Sequence, residues 1–291
     1  MSTLSPKDWL AILQKAARAG RSAILRNYDI ESREKIMKRG VGGDLTLRID
    51  QVSEDAIHKS LTHDLPSDSF VFVSEELGEV RVKDNEPRPV VICDPLDGSH
   101  NAQVGIPLFS LSLAVLGLKR KIRPSDKRHF GDVDVALIQS IMSNDEYSAL
   151  KGEGSYHNGK SLKRGKSRKE ARIKTFGIEC GDLNYLKVLI SRLSSKQVYK
   201  FRVLGSAALS LSFLAEGSLD ALVFAQPGGA RTIDSPAGYL IAKQAGCVFS
   251  DLSRVVRNID RLEVGFHSRI NLVGAGDSQT QAQVVRSVRE P

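Results

Sequence analysis

Val90-Val91-Ile92-Cys93-Asp94-Pro95-Leu96-Asp97-Gly98-Ser99 is the stretch on which the reading of this chain turns. Its first four residues are apolar and mostly β-branched, which predicts a short strand buried on both faces. That strand delivers two carboxylates three residues apart. Burying a carboxylate is costly unless a cation, dense hydrogen bonding or solvent compensates it. Pro95 predicts a tight turn that aims Asp94 and Asp97 at one point, where a divalent metal would satisfy both. Gly98 removes a side chain beside that point, and Ser99 offers a hydroxyl and a backbone N–H of the kind that holds phosphate oxygens. Taken alone, Asp-x-x-Asp is a weak signal, because turn aspartates commonly bond their own backbone.

Moving outward, Phe70-Val71-Phe72-Val73 is a second buried-strand run and leads into Ser74-Glu75-Glu76. Four acids thus emerge at the ends of two strands, where sites are usually built. Upstream, residues 7 to 27 have the apolar spacing of an amphipathic helix. After the loop Gly40-Val41-Gly42-Gly43, Asp44 opens a strand-like segment ending at Asp50, which stands where the N-cap of a helix through about Leu61 should be. Downstream, residues 109–118, 133–141 and 146–150 continue a β-rich pattern, so the first half reads as α+β. The glycine- and lysine-rich stretch 160–172 is the expected link, dividing the chain into halves 1–167 and 168–291. In the second half strand-like and helical segments alternate, which predicts α/β layering. Asp234 precedes Ser235-Pro236 and is expected to cap the helix that follows.

With 291 residues, 41% of them apolar, the chain can bury the core of one large domain or two packed halves, which excludes disorder. Cys93, Cys180 and Cys247 are odd in number and widely spaced, so neither a disulfide framework nor a zinc site is expected. No apolar run is long enough to span a membrane and none follows a basic start; a soluble, cytoplasmic protein is expected. A net charge of +8 and a pI near 9.4 fit either a nucleic-acid partner or steering of a small phosphorylated substrate. Composition does not choose between them. The lysine-rich stretches 119–128 and 160–172 lack interleaved aromatics and read as solvated loops, so nucleic acid is not the expected partner. The six histidines show no metal-ligand spacing.

Five elements stand in one order along most of the chain: Asp44 to Asp50, Ser74-Glu75-Glu76, Asp94 to Ser99 with Asn101, Gly205-Ser206-Ala207-Ala208, and Asp234 with Ala237-Gly238. In order and spacing they resemble the inositol monophosphatase superfamily, which includes inositol phosphatases, fructose-1,6-bisphosphatases and 3′(2′),5′-bisphosphate nucleotidases. The resemblance implies a layered α-β-α-β-α fold, a homodimer, and Mg²⁺-dependent hydrolysis of a phosphomonoester at metals bound between the two halves. It implies one Mg²⁺ held by Glu75, Asp94 and the carbonyl of Leu96, and a second held by Asp94, Asp97 and Asp234. Two or three ions are expected in all, and Mn²⁺ can substitute. Paired metals of this kind, about 3.5–4 Å apart, lower the pKa of a bound water and stabilise the departing alkoxide. By the same resemblance Glu75 and Ser99 orient the attacking water, with Asp50 as a hydrogen-bond partner behind them. Glu76 would give outer support or lie at the surface, since adjacent strand residues face opposite ways.

The substrate side implied by the match comprises Asp97, Gly98, Ser99, Gly205, Ser206, Ala207 and Asp234. Backbone N–H groups at Gly205-Ser206-Ala207 would meet a hydroxyl or anionic part of the substrate. Arg202 would either hold a second phosphate or sugar oxygen or form a surface ion pair. His100 receives no catalytic role. Animal inositol monophosphatases carry a glutamate that contacts inositol where this chain has Pro227, so inositol specificity is not carried over. The wording around Asp44, Leu96, Ser99 and Arg231-x-x-Asp234 is closer to archaeal-type members. Inositol 1-phosphate or a related sugar phosphate is the leading substrate, then fructose 1,6-bisphosphate, then a nucleotide 3′-phosphate. The non-enzymatic alternative is a phosphate-binding regulatory protein.

Overall fold

The computed structural model describes residues 4–40, 45–66, 69–80, 84–164, 173–193, 198–252 and 258–289. Asp44, residues 41–43 of the glycine loop, and the link near residue 167 lie outside them. Helix α1 (Pro6–Arg26) starts where the sequence punctuates it: Ser5 and Asp8 form a capping box and Pro6 fills the first turn. Its stripe of Trp9, Leu13, Ala16, Ala17 and Ile24 is buried, as the spacing predicts. The short helix α2 (Ile30–Glu34) and the antiparallel pair β1 (Ile36–Arg39) and β2 (Leu45–Leu47) lead into α3 (Arg48–Asp64). Gly20 lets α1 and α3 approach closely, since a Cβ there would lie 2.7 Å from Ile57 Cγ1.

β3 (Val71–Ser74), β4 (Gly78–Val80) and β5 (Val90–Asp97) are followed by α4 (Ser99–Val104), then β6 (Ser110–Leu116), β7 (Val133–Ser140), β8 (Glu146–Leu150), β9 (Gly154–His157) and β10 (Lys160–Leu162). These strands form one eight-stranded sheet, ordered β10-β9-β8-β7-β6-β5-β3-β4. Only the β3–β5 pair is parallel. The chain continues through β11 (Ile173–Glu179), α5 (Leu183–Arg192), β12 (Val198–Arg202), α6 (Ala207–Glu216), β13 (Ala221–Phe224), β14 (Ala230–Arg231), α7 (Pro236–Gln244), β15 (Val248–Asp251), β16 (Arg269–Ile270), β17 (Leu272–Ala275) and α8 (Ser278–Arg289). A five-stranded mixed sheet runs β12-β11-β13-β17-β15, while β14 and β16 make a separate two-stranded ribbon.

Helices α1 and α3 cover one face of the large sheet, and α6 and α7 are sandwiched between its other face and the smaller sheet. On the outer side of the smaller sheet lie α5 and α8. The five layers are therefore helix, sheet, helix, sheet, helix. Each gap has its own apolar core: Leu13, Ile57 and Leu111 in the first, Leu211, Leu240 and Leu222 in the second, Phe176, Val273 and Val284 in the third. Fully burying one such side chain contributes roughly 1.5–3 kcal/mol.

Three local expectations need correction. Asp50 is not the N-cap of α3; Leu47 is, and Asp50 sits one turn in, its carboxylate accepting the Leu47 N–H at 2.6 Å. The charge still meets the helix N-terminus, now from inside the first turn. Asp234 is likewise not a cap, because Ser235 takes that place and Asp234 closes a 3₁₀ turn, Thr232–Asp234. The turn expected at Pro95 is instead an irregularity in β5, where Asp94 and Asp97 stand opposite Ser112 and Ser110 of β6. Three steps on one strand against two on the other let a proline sit within a buried strand without a ladder hydrogen bond.

Candidate active site

Glu75, immediately after β3, and Asp94, within β5, come from neighbouring parallel strands, so the sheet itself sets them side by side. Asp234 arrives from the far half of the chain, on the 3₁₀ turn before α7. Carboxylate oxygens of these three residues lie within 4.8 Å of one another. They line a cleft of about 390 Å³ together with Asp97, Ser99 and Arg231, among others. Asp94 is 7% exposed. Burial raises its carboxyl pKa well above the usual carboxylate range, the charges of Glu75, Asp97 and Asp234 push the same way, and the Leu96 N–H, at 3.0 Å, opposes them.

Asp97 is not one of the three converging residues, although it lines the same cleft and its charge acts on Asp94. Its carboxylate accepts the N–H of Ala207 at 3.0 Å and of Ala208 at 3.1 Å, the Ser206 hydroxyl, and the Ser110 hydroxyl at 3.3 Å. The N-terminus of α6, read from sequence as a seat for substrate, is thus already engaged by an internal anion. Burial pushes the Asp97 carboxyl up, and these four donors draw it back. Asp97 nevertheless still lines the cleft beside Gly205 and Ala207.

Gly98 adopts φ +87°, and a Cβ on it would lie 3.0 Å from the Leu108 carbonyl and 3.1 Å from that of Gly205. Only glycine takes this left-handed step without strain while letting the two halves touch. Ser99 then begins α4 and donates its hydroxyl to the Leu96 carbonyl at 2.8 Å, the oxygen expected to face a metal. Asp50 lies behind, buried; desolvation lifts its carboxyl to about 8, with the Leu47 N–H pulling down and the Glu76 and Glu54 charges pushing up. Glu76 is 8% exposed and accepts the Thr46 hydroxyl, so a surface role is excluded for it.

Several residues of the site escaped the sequence reading. Arg231 donates to Glu75 and, at 3.2 Å, to Asp234, placing its guanidinium between two of the three converging carboxylates. Its spacing of three from Asp234 was visible, but not its reach to Glu75, 156 positions away. Glu179, at the end of β11, accepts the N–H of Gly205 at 3.1 Å, that of Leu204 at 3.4 Å, and the Ser210 hydroxyl at 2.5 Å. Asn101, which the sequence did place with the aspartate motif, holds the carbonyls of Leu108 and Leu204 at 2.8 and 2.7 Å, tying the loop after α4 to the start of α6. Arg202 is exposed on the edge strand β12, donates to the Phe201 carbonyl and does not line the cleft.

The donor set fits a hard divalent cation. It consists of carboxylate oxygens only, drawn from three segments into one poorly solvated place where their mutual repulsion is otherwise costly. Nitrogen and sulfur ligands, which would favour zinc or copper, do not join the group among the described residues.

The profile of the inositol monophosphatase family matches residues 5–290, and the chain belongs to that family of metal-dependent phosphomonoesterases. It is 35% identical over 217 residues to the fructose-1,6-bisphosphatase of Pyrococcus furiosus, covering 75% of this chain and 74% of that one. To the fructose-1,6-bisphosphatase/inositol-1-monophosphatase of Methanocaldococcus jannaschii it is 28% identical over 276 residues, covering 93% and 96%. A bifunctional NADP phosphatase/NAD kinase of Methanococcus maripaludis is 28% identical over 243 residues, and the match spans 41% of that longer protein. Among solved structures, a Pyrococcus horikoshii protein with similarities to inositol-1 monophosphatase superposes with a TM-score of 0.74 at 25% identity, covering 98% of this chain and all of the other.

Proposed function

We propose that this chain is a Mg²⁺-dependent phosphatase that hydrolyses inositol 1-phosphate or a related sugar phosphate. The convergence of Glu75, Asp94 and Asp234 in one cleft carries the reading. These three, with Asp97 and the Leu96 carbonyl, would hold the Mg²⁺ ions, which when bound would supply Lewis-acid stabilisation of the phosphate and of the leaving oxygen. Glu75 and the Ser99 hydroxyl orient the attacking water, and Asp50 supports Ser99 from behind. The left-handed step at Gly98 brings Ser99 to the cleft wall. Asp97 keeps α6 against the cleft through Ala207 and Ala208, so that wall does not shift as the ester bond breaks.

Fructose 1,6-bisphosphate is the second reading. Two observations favour it: Pro227 stands where a polyol-binding glutamate would be, and the Pyrococcus furiosus relative bears that name. Phosphate on a nucleotide comes third, in line with the name of the Methanococcus maripaludis relative. We place the enzyme in the cytoplasm as a homodimer acting on small metabolites rather than nucleic acid; no described helix is long and apolar enough to cross a membrane. The test is phosphate release from inositol 1-phosphate, fructose 1,6-bisphosphate, adenosine 3′,5′-bisphosphate and NADP⁺, with Mg²⁺ and then with chelator. Metal-dependent release from at least one is expected; none from any would leave only a phosphate-binding protein.

A further inference from the structure

The cleft is lined by five carboxylates, those of Glu75, Glu76, Asp94, Asp97 and Asp234. Against them stands one guanidinium, that of Arg231, with no lysine or second arginine among the described lining residues. Arg231 pairs with Glu75 and Asp234, two of the three residues whose oxygens converge. All three side chains of this pairing are largely shielded, at 16%, 15% and 21% exposure, so the attraction is screened far less than at an open surface.

The backbone of Arg231 has little freedom. Arg231 lies in β14, paired with Arg269 of β16, and a Cβ at neighbouring Gly229 would come within 2.9 Å of the Ile270 nitrogen. The side chain is long and flexible, however, and its fork suits a phosphate as well as a carboxylate. A cation that took Glu75 and Asp234 would have to displace it. A phosphate meeting five carboxylates, with the guanidinium already engaged, would meet net repulsion.

We propose that Arg231 is a tethered counter-ion that exchanges partners: it neutralises Glu75 and Asp234 while the metal is absent, and turns to the ligand's phosphate once a divalent cation has taken those carboxylates. This rests on the reading of the carboxylate cluster as a Mg²⁺ site. Mg²⁺ binding is then an exchange reaction, weakened by the fraction of protein in which Arg231 already holds the acids. Because the released guanidinium becomes available to phosphate, the two ligands assist one another beyond their direct attraction, and the assistance is reciprocal.

The experiment measures Mg²⁺ binding by calorimetry, without turnover, for the wild type and Arg231→Gln, each with and without inorganic phosphate. Without phosphate, Arg231→Gln should bind Mg²⁺ roughly fivefold or more tightly than the wild type, the lower end of typical coupling between sites. Phosphate should raise Mg²⁺ affinity by a larger factor in the wild type than in the variant. In thermal melts with chelator the variant should unfold at lower temperature than the wild type, and saturating Mg²⁺ should close the gap. A purely structural role for Arg231 would leave that gap open. Arg231→Lys keeps the charge but cannot bridge two carboxylates with one fork, so it should show a smaller gain in Mg²⁺ affinity; should Arg231→Gln not fold, absence of that gain overturns the proposal. Equal or weaker Mg²⁺ binding by a folded Arg231→Gln does so too. If neither wild type nor variant binds Mg²⁺, the metal-site reading itself falls, an outcome distinct from equal binding by both.

Discussion

The carboxylate of Asp97 receives the backbone N–H of Ala207 at 3.0 Å, across 110 positions of chain. A residue of the eight-stranded sheet thereby seats the first turn of a helix that packs on both sheets. Asp97→Asn would turn an acceptor into a donor facing one of the two helix N–H groups. Melting of the metal-free protein should reveal a loss of about 2 kcal/mol, the cost of leaving a buried group unsatisfied, together with weakened Mg²⁺ binding. A variant with unaltered stability would mean that Asp97 does not hold α6.

Asp94→Asn should behave in the opposite way. Burial and three neighbouring acids hold the Asp94 carboxyl well above its usual range, so its ionised form burdens the metal-free fold. The neutral isostere should leave the metal-free protein at least as stable at pH 8, while abolishing turnover and the upward shift in Tm on adding Mg²⁺. Retained activity would refute the assignment of Asp94 to the metal.

Glu179 provides a pH signature. Burial lifts its carboxyl from 4.5 to about 7, with Asp97 adding and the Ser210, Gly205 and Leu204 donors opposing. A carboxyl raised in the folded state binds its proton more tightly there than in the unfolded chain, so its contribution is fully present below about pH 4.5 and is lost as pH rises through about 7. Glu179→Gln should flatten this part of the stability curve between pH 5 and roughly 8. Parallel stability curves for variant and wild type would exclude the effect.

Gly98→Ala should cost about 1–3 kcal/mol, the scale of a forced left-handed backbone, and lower turnover more than a distant variant of equal stability cost. The added methyl meets the Leu108 and Gly205 carbonyls, so Ser99 and the α6 wall would be pushed apart. Melting and kinetics on the same preparation check both effects.

Much of the site was legible because its signals are local. The buried runs before Glu75 and Asp94 announce strands, and acids directly after such runs demand compensation. Gly98 was readable as a point of close approach, but of a ligand; it is the Leu108 and Gly205 carbonyls that come close there. What stayed hidden is non-local. Asp97 resembles Asp94 in sequence, and nothing near it reveals that α6 supplies its donors. Glu179 looks like an ordinary surface charge until the fold brings partners to it, and the visible spacing of Arg231 from Asp234 does not disclose its reach to Glu75. Strand β12 carries little sequence signal for another reason: it is a sheet edge with Tyr199 and Phe201 half-exposed, so the buried, β-branched pattern that marks the inner strands is weak there.

The contacts that close the cleft join distant parts of the chain, Asp97 with Ala207 and Glu75 with Arg231, whereas β7 to β10 pair through short turns between neighbours in sequence. Local pairing is the faster process in folding, because long loops cost entropy before their contacts repay it. The meander can therefore assemble while Asp94 and Asp97, on β5, are still hydrated. Catalytic competence is then expected last, when α6 and the Arg231 ribbon dock, and a refolding experiment should recover β structure before it recovers activity.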